Sequence, residues 1–145
     1  MQHTELTKSI LMTPPELKDN GAFTTYNPVD TKGYGHLRVI LATGVIDAAT
    51  SAAPLLQEVD ATAGTWVAIT NAALAAAIAD GDDDELYAID VDLTKGRKRF
   101  IRCLVTAGNG TTGTNLAVIG ILSRKTTDDH DGLATDAGLD ELVSV

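Results

Sequence analysis

Short apolar runs alternate with turn residues between residues 35 and 125, and no segment there shows long helical periodicity. Leu37 to Ala42 is apolar and contains β-branched residues, which predicts a strand. Residues 54–59 and 65–69 are two further candidate strands, and the turn at residues 61–64 predicts that they form a hairpin. This succession of short strands is typical of an all-β domain.

The later runs carry the clearest strand patterns. Residues 86–93 alternate, with large apolar side chains at every second position, which predicts a strand with one apolar face. Residues 99–106 have a mixed pattern, and Leu116 to Leu122 is the most apolar run in the chain, as expected of a central strand buried on both faces. Residues 71–79 fit either a short helical turn or an irregular crossover between sheets. Together these elements predict a β-sandwich or a barrel.

The two ends of the chain differ from the middle. Residues 1–34 have scattered apolar positions interrupted by Pro14-Pro15 and Pro28, which predicts an extended arm with little core of its own. Residues 126–145 are acidic and contain no lysine or arginine, which predicts a tail that is disordered or docked on a neighbour. The predicted organisation is therefore an arm (1–34), a β-domain (35–125) and an acidic tail (126–145).

Composition narrows the class of partner. The chain has 145 residues and a net charge of −9, so its surface repels phosphate backbones and we expect no direct binding of nucleic acid. No run approaches the roughly 20 apolar residues that span a bilayer, and the N-terminus has no pattern of a secretory signal. We expect a protein made in a cytoplasm, without membrane contact, whose single cysteine, Cys103, is a buried small hydrophobe.

One basic stretch stands out in this acidic chain, with five positive charges within eight residues. Its members are Lys95, Arg97, Lys98, Arg99 and Arg102. Two explanations fit equally well. The stretch could pair across neighbouring strands with Asp90, Asp92 and the acidic turn at residues 80–85, or it could meet an acidic patch on a partner.

No group of residues has the spacing that catalysis or metal binding requires. The three histidines are isolated, and no serine lies in a nucleophile elbow. The acidic turn Asp80 to Glu85 lacks the ligand spacing of an EF-hand, so we expect a solvated turn, and calcium between subunits stays open. Trp66 fits a hairpin tryptophan over a sandwich edge better than a sugar-stacking residue. The sequence therefore predicts no enzyme activity, no cofactor and no assigned metal site.

Four segments between residues 35 and 125 together resemble the decoration, or cement, proteins of tailed-phage capsids. These are Leu56-Gln57-Glu58 followed by Gly64-Thr65-Trp66, the acidic turn before Ile89-Asp90-Val91, the stretch Gly96 to Thr106, and the closing apolar strand Ala117 to Leu122. The most recognisable piece is residues 97–102, because that family has a similar basic and aromatic sequence at this point.

The resemblance implies a small β-sandwich or jelly-roll-like domain that binds the major capsid protein on the outer surface of the virion and stabilises the capsid. It also implies self-association, with a trimer favoured over a dimer. The arm and the acidic tail lie outside the shared pattern.

Two groups of side chains are candidates for partner contacts. They are Arg97, Lys98, Arg99 and Arg102 in the basic stretch, and Leu11, Leu17, Phe23 and Tyr26 in the arm. Two other functions stay open from the sequence. One is a carbohydrate-binding β-sandwich module on a virion, using Trp66 and Tyr87, and the other is a tail-tube or head–tail connector protein.

Overall fold

The structure is a computed structural model that describes residues 7–23, 26–108, 113–124 and 141–145. Every regular element within these ranges is a strand, so the predicted all-β class is confirmed. The strands in chain order are β1 (Thr7–Lys18), β2 (Gly21–Ala22), β3 (Val29–Asp30), β4 (His36–Ile46), β5 (Leu55–Val59), β6 (Val67–Ala73), β7 (Leu86–Asp92), β8 (Phe100–Leu104), β9 (Thr106–Ala107), β10 (Thr114–Ser123) and β11 (Glu141–Ser144).

The strands form a small β-sandwich. The larger sheet has five strands in the order β1-β10-β4-β7-β11, and all its pairs are antiparallel except β7 with β11. The smaller sheet has four antiparallel strands in the order β3-β8-β5-β6, and β2 pairs separately with β9. β1 contacts β8, and β6 contacts both β7 and β11, so the two sheets are packed face to face with their strand orders running in the same sense.

Strict alternation along the long strands places the core between the two sheets. Leu37, Val39 and Leu41 of β4 are fully buried, while the residues between them are half-buried. Ile101 and Cys103 of β8 are buried from the opposite sheet. Period-two burial of this kind is expected of sheets with one face on a shared core.

The predicted hairpin and crossover both occur. β5 and β6 are antiparallel neighbours, which confirms the hairpin. The chain then leaves the smaller sheet after β6 and enters the larger sheet at β7, so the irregular crossover is confirmed and the helical turn is wrong. Leu74 and Ile78 anchor the crossover in the core, and Asn71 adopts a positive φ of 65° where the β5–β6 register shifts. Tertiary burial therefore overrides the helix propensity of the alanines.

The N-terminal region is part of the sandwich, which corrects the prediction that it has little core of its own. Met12, Phe23 and Val29 are buried in the central cluster. β1 pairs with β10 along its length, but the register shifts twice around Pro14-Pro15. An edge strand tolerates proline because only one of its sides donates to a ladder. The shifts explain why no alternation is visible in the sequence.

The end of the acidic tail also belongs to the sandwich. β11 pairs in parallel with β7, and Val143 and Val145 pack against the core cluster. Residues 141–145 therefore dock on the chain's own sheet, which corrects the expectation of disorder or a neighbouring subunit there. The rest of the predicted tail, up to residue 140, lies outside the described residues. No helix in the described ranges has the length and apolarity to cross a membrane.

Candidate binding surfaces

The basic stretch lies on the smaller sheet, in the β7–β8 connection and along β8. Ile101 and Cys103 point into the core, so Phe100 and Arg102 face outward from the same strand. Burial raises the pKa of the Cys103 thiol to about 12, which keeps it protonated and unreactive at neutral pH. The chemistry of this strand is therefore on its outer face.

Arg102 is held between two aromatic rings on that outer face. Its guanidinium carbon lies 4.4 Å from the centre of the Trp66 ring and 4.7 Å from the centre of the Tyr26 ring. Its Nε donates to Gln57 Oε1 at 2.8 Å, and its Nη1 donates to the Tyr26 hydroxyl. We call these four residues the arginine–aromatic cluster. Its contacts fix the guanidinium plane through stacking and hydrogen bonds to neutral groups.

Three separate elements build the arginine–aromatic cluster. Gln57 lies directly opposite Arg102 in the β5–β8 register. Trp66 immediately precedes β6 at the end of the hairpin turn, and Tyr26 comes from the segment between β2 and β3. The fold therefore brings Arg102 of the basic stretch into contact with Tyr26 of the predicted arm. Trp66, which the sequence analysis placed over a sandwich edge, joins them.

Arg99 forms a second, charged contact. Its Nε and Nη2 donate to the two carboxylate oxygens of Asp30 at 2.9 and 2.7 Å, and its guanidinium carbon lies 5.0 Å from the Phe100 ring centre. The Arg99 hydrogen bond is the main reason that the pKa of Asp30 falls from 3.8 to about 2. This bidentate pair joins β3 to the start of β8.

Lys98 and Arg97 complete the stretch. The Lys98 backbone N–H donates to the Glu58 carboxylate at 3.1 Å, and its Nζ lies 3.9 Å from Asp60. Arg97 is half-buried, and its Nε has no hydrogen-bond partner among the described residues. The acidic partners of the stretch in these ranges thus lie on β3, on β5 and just after β5.

The explanation in which the stretch pairs with Asp90 is wrong. β7 belongs to the larger sheet and β8 to the smaller one, so these consecutive strands are not neighbours. Asp90 instead accepts two hydrogen bonds from Arg38, at 2.8 and 2.6 Å, and lies 3.5 Å from His36 Nε2. Asp92 accepts from the Thr94 backbone N–H and hydroxyl at 2.9 and 2.6 Å.

The acidic turn organises the loop before β7. Asp83 accepts from the Ile46 backbone N–H at 2.7 Å. Asp82 accepts from the Ala79 backbone N–H at 2.8 Å and from the Tyr87 hydroxyl at 3.2 Å. Across the described part of the chain, no group of three or more His, Cys, Asp or Glu residues is placed to hold a metal ion.

The predicted arm residues separate into different environments. Phe23 is only 2% exposed, so its side chain serves the core and cannot contact a partner of the folded domain. Leu11 and Leu17 are 46% and 58% exposed on β1, which is on the opposite sheet from Tyr26 and the basic stretch. The candidate contacts therefore divide between two surfaces.

The outer side of the larger sheet is an apolar surface that the sequence did not indicate. Ile119 and Ile121 of β10 and Ile40 of β4 are half-buried there, and Leu11 and Leu86 are exposed at its two sides. We call these five residues the apolar face. β10 is central, as predicted, but only one of its faces is fully buried, so the expectation of burial on both faces is wrong.

The aromatic platform expected for carbohydrate binding is not formed. Tyr87 is 4% exposed on the core side of β7, and Trp66 stacks on Arg102 above the smaller sheet. The two rings therefore belong to different sheets.

Comparison of the chain with protein-family models, with curated proteins and with solved structures found no significant match.

Proposed function

We propose that this chain is a structural protein that binds the major capsid protein on the outside of a tailed-phage capsid and stabilises the capsid. The proposal begins from the resemblance of its strand motifs to decoration proteins. Those motifs fall on β5, β7, β8 and β10, which supply the centres of both sheets. The similar segments therefore include central strands of both sheets together with the turns that lead into β6, β7 and β8.

The observation that carries the proposal is the arginine–aromatic cluster. Arginine, tyrosine and tryptophan are the residue types that contribute most to protein–protein binding energy. Arg102 is stacked and hydrogen-bonded before any partner binds, so little side-chain entropy remains to be lost.

Charge supports a carboxylate as the partner group. The contacts of Arg102 are with neutral groups, and it forms no ion pair among the described residues. An acidic side chain on a capsid subunit can therefore pair with its guanidinium. The chain has a net charge of −9 and repels acidic partners over most of its surface, but the Arg102 guanidinium attracts an acidic group at this cluster.

Binding to expanded capsids tests the proposal. Heads of the phage that encodes the chain, stripped of this protein, are titrated with wild-type protein and with Arg102→Gln. We expect wild-type protein to saturate the heads, and Arg102→Gln to bind about 30-fold more weakly, as removal of a hot spot of ~2 kcal/mol gives.

Arg124→Gln is the matched control, because Arg124 is exposed just beyond β10 and far from the cluster in the strand order. Each variant is also melted, so that a loss of binding is separated from a loss of folding. Wild-type protein that leaves the heads bare would refute the proposed function. A map of the particles with density only at the tail or its vertex would favour the connector alternative.

A further inference from the structure

We propose that an extended segment of the major capsid protein adds to the open edge of β6, as a fifth strand of the smaller sheet. This inference rests on the proposed capsid binding and names a second contact that the same partner makes. A strand added to a sheet edge gains its affinity from main-chain hydrogen bonds.

The sandwich ends in four edge strands, and three of them have features that discourage pairing with another chain. β1 contains Pro14-Pro15, β3 has two residues and includes Asp30, and β11 has four residues and begins with Glu141. Short strands, prolines and charges are the usual protection of an open edge. β6 has seven residues, Val67–Ala73, with no proline and no charge. Among the strands that the structure describes, β6 is therefore the unprotected edge.

The backbone hydrogen bonds of β5 show which groups of β6 face the open edge. The Pro54 carbonyl accepts from the Leu74 N–H at 3.0 Å, so Pro54 points towards the β6 side. Backbone groups of successive strand residues point to opposite sides, and β5 pairs with β8 without a register shift, so Gln57 points towards β8. Ala68 lies opposite Gln57 and therefore directs its own N–H and C=O away from β5. Within the described ranges, no backbone group outside the β5–β6 ladder pairs with them.

The first half of β6 is open to solvent in the single chain. Val67 is 49% exposed, and Ala68 and Thr70 are also exposed. Ile69 between them is 4% exposed, so its side chain anchors the strand in the core. Beyond Thr70 the strand bulges, because Asn71 has a positive φ of 65° and the register with β5 shifts. The edge that an added strand can use is therefore the part before the bulge.

Continuity with the arginine–aromatic cluster favours the major capsid protein as the occupant. Trp66 of the cluster immediately precedes β6, and Gln57 of the cluster lies opposite Ala68. With strands about 4.8 Å apart, a segment added beside β6 runs roughly 10 Å from β5, where Gln57 accepts a hydrogen bond from Arg102. A standard interface buries about 800 Å² on each partner, so one partner can cover both the edge and the cluster.

A matched pair of substitutions at Ala68 tests the inference on the stripped heads. Ala68→Pro removes the N–H that the added strand needs, whereas Ala68→Val keeps that N–H in a residue of high β propensity. We expect Ala68→Pro to bind the heads about tenfold more weakly than wild-type protein, as the loss of one main-chain hydrogen bond gives. Ala68→Val should bind as wild-type protein does. Melting of each variant verifies that its fold is kept.

Hydrogen exchange of wild-type protein provides a second measurement, which does not require Ala68→Pro to fold. The amide of Ala68 should exchange rapidly in the free protein, because its N–H faces the open edge. On decorated heads, the peptide that contains Ala68 should gain protection. Unchanged exchange of this peptide on the heads would overturn the inference, and so would equal binding of the proline and valine variants.

Failure of this inference and failure of the proposed function give different results. Wild-type protein that leaves the heads bare refutes capsid binding and the added strand with it. Heads that bind wild-type protein and Ala68→Pro equally well leave capsid binding intact and refute only the added strand. Sedimentation equilibrium examines the other occupant. Wild-type protein that self-associates, while Ala68→Pro stays monomeric, would place a second copy on this edge and overturn the inference.

Discussion

A substitution at Met12 tests whether the N-terminal region is a removable arm or a structural strand. Its side chain is fully buried in the core cluster that also contains Val29, and it lies beside Gly120. Met12→Ala removes those contacts and leaves a cavity, which costs about 2–5 kcal/mol for a buried methionine. The neighbouring Leu11 is 46% exposed on the other side of β1, so Leu11→Ala is the matched control.

The expected loss converts into a measurable change of melting temperature. An unfolding entropy of about 2.1 cal/mol/K per residue gives about 0.3 kcal/mol/K for a chain of 145 residues. Met12→Ala should therefore lower the melting temperature by about 7–16 °C. Leu11→Ala should lower it by no more than about 2–3 °C, as expected of an exposed position. Urea unfolding with an unchanged slope checks that only stability has changed.

Equal effects of the two substitutions would refute the reasoning, because an arm without core contacts makes no distinction between its faces. A truncated chain beginning at Gly35 provides a second measurement. It lacks β1 and the buried side chains of Phe23 and Val29, so we expect it to be unfolded. A truncated chain with a cooperative transition near that of the full chain would restore the arm interpretation.

Three further outcomes follow from buried and charged groups. Asp90→Ala removes the carboxylate that Arg38 binds in a largely buried pair. Urea unfolding should show that the free energy of unfolding falls by about 3 kcal/mol, and a fall of less than ~1 kcal/mol would contradict this. The pKa of Asp30 is about 2 in the fold against 3.8 ordinarily, so the stability from its pair with Arg99 is present above about pH 4 and is lost as the pH falls towards 2. Asp30→Asn should lack that part of the acid dependence, and urea midpoints at pH 7, 4 and 2 that shift equally in both proteins would argue against it. Burial and a pKa of about 12 make the Cys103 thiol unreactive, so a thiol reagent at pH 8 should label it only in urea, and rapid labelling of native protein would show an open core.

The strands that could be predicted are those with an uninterrupted apolar run or a period of two. β7 alternates in the sequence, whereas β4 and β10 were predicted from their apolar runs, and their period of two appears only in the burial of alternate residues. β1 could not be predicted in the same way, because two register shifts around Pro14-Pro15 break its alternation. Residues 71–79 have an ambiguous local pattern, and only burial of Leu74 and Ile78 selects the crossover.

The candidate site was predictable in its residue types but not in its partners. Arg99 and Asp30 are 69 residues apart, and Arg102 and Tyr26 are 76 apart. Contacts at such separations depend on sheet order, which alternation does not determine. The sequence offered β7 as the neighbour of β8 because the two are consecutive, yet the chain changes sheets between them.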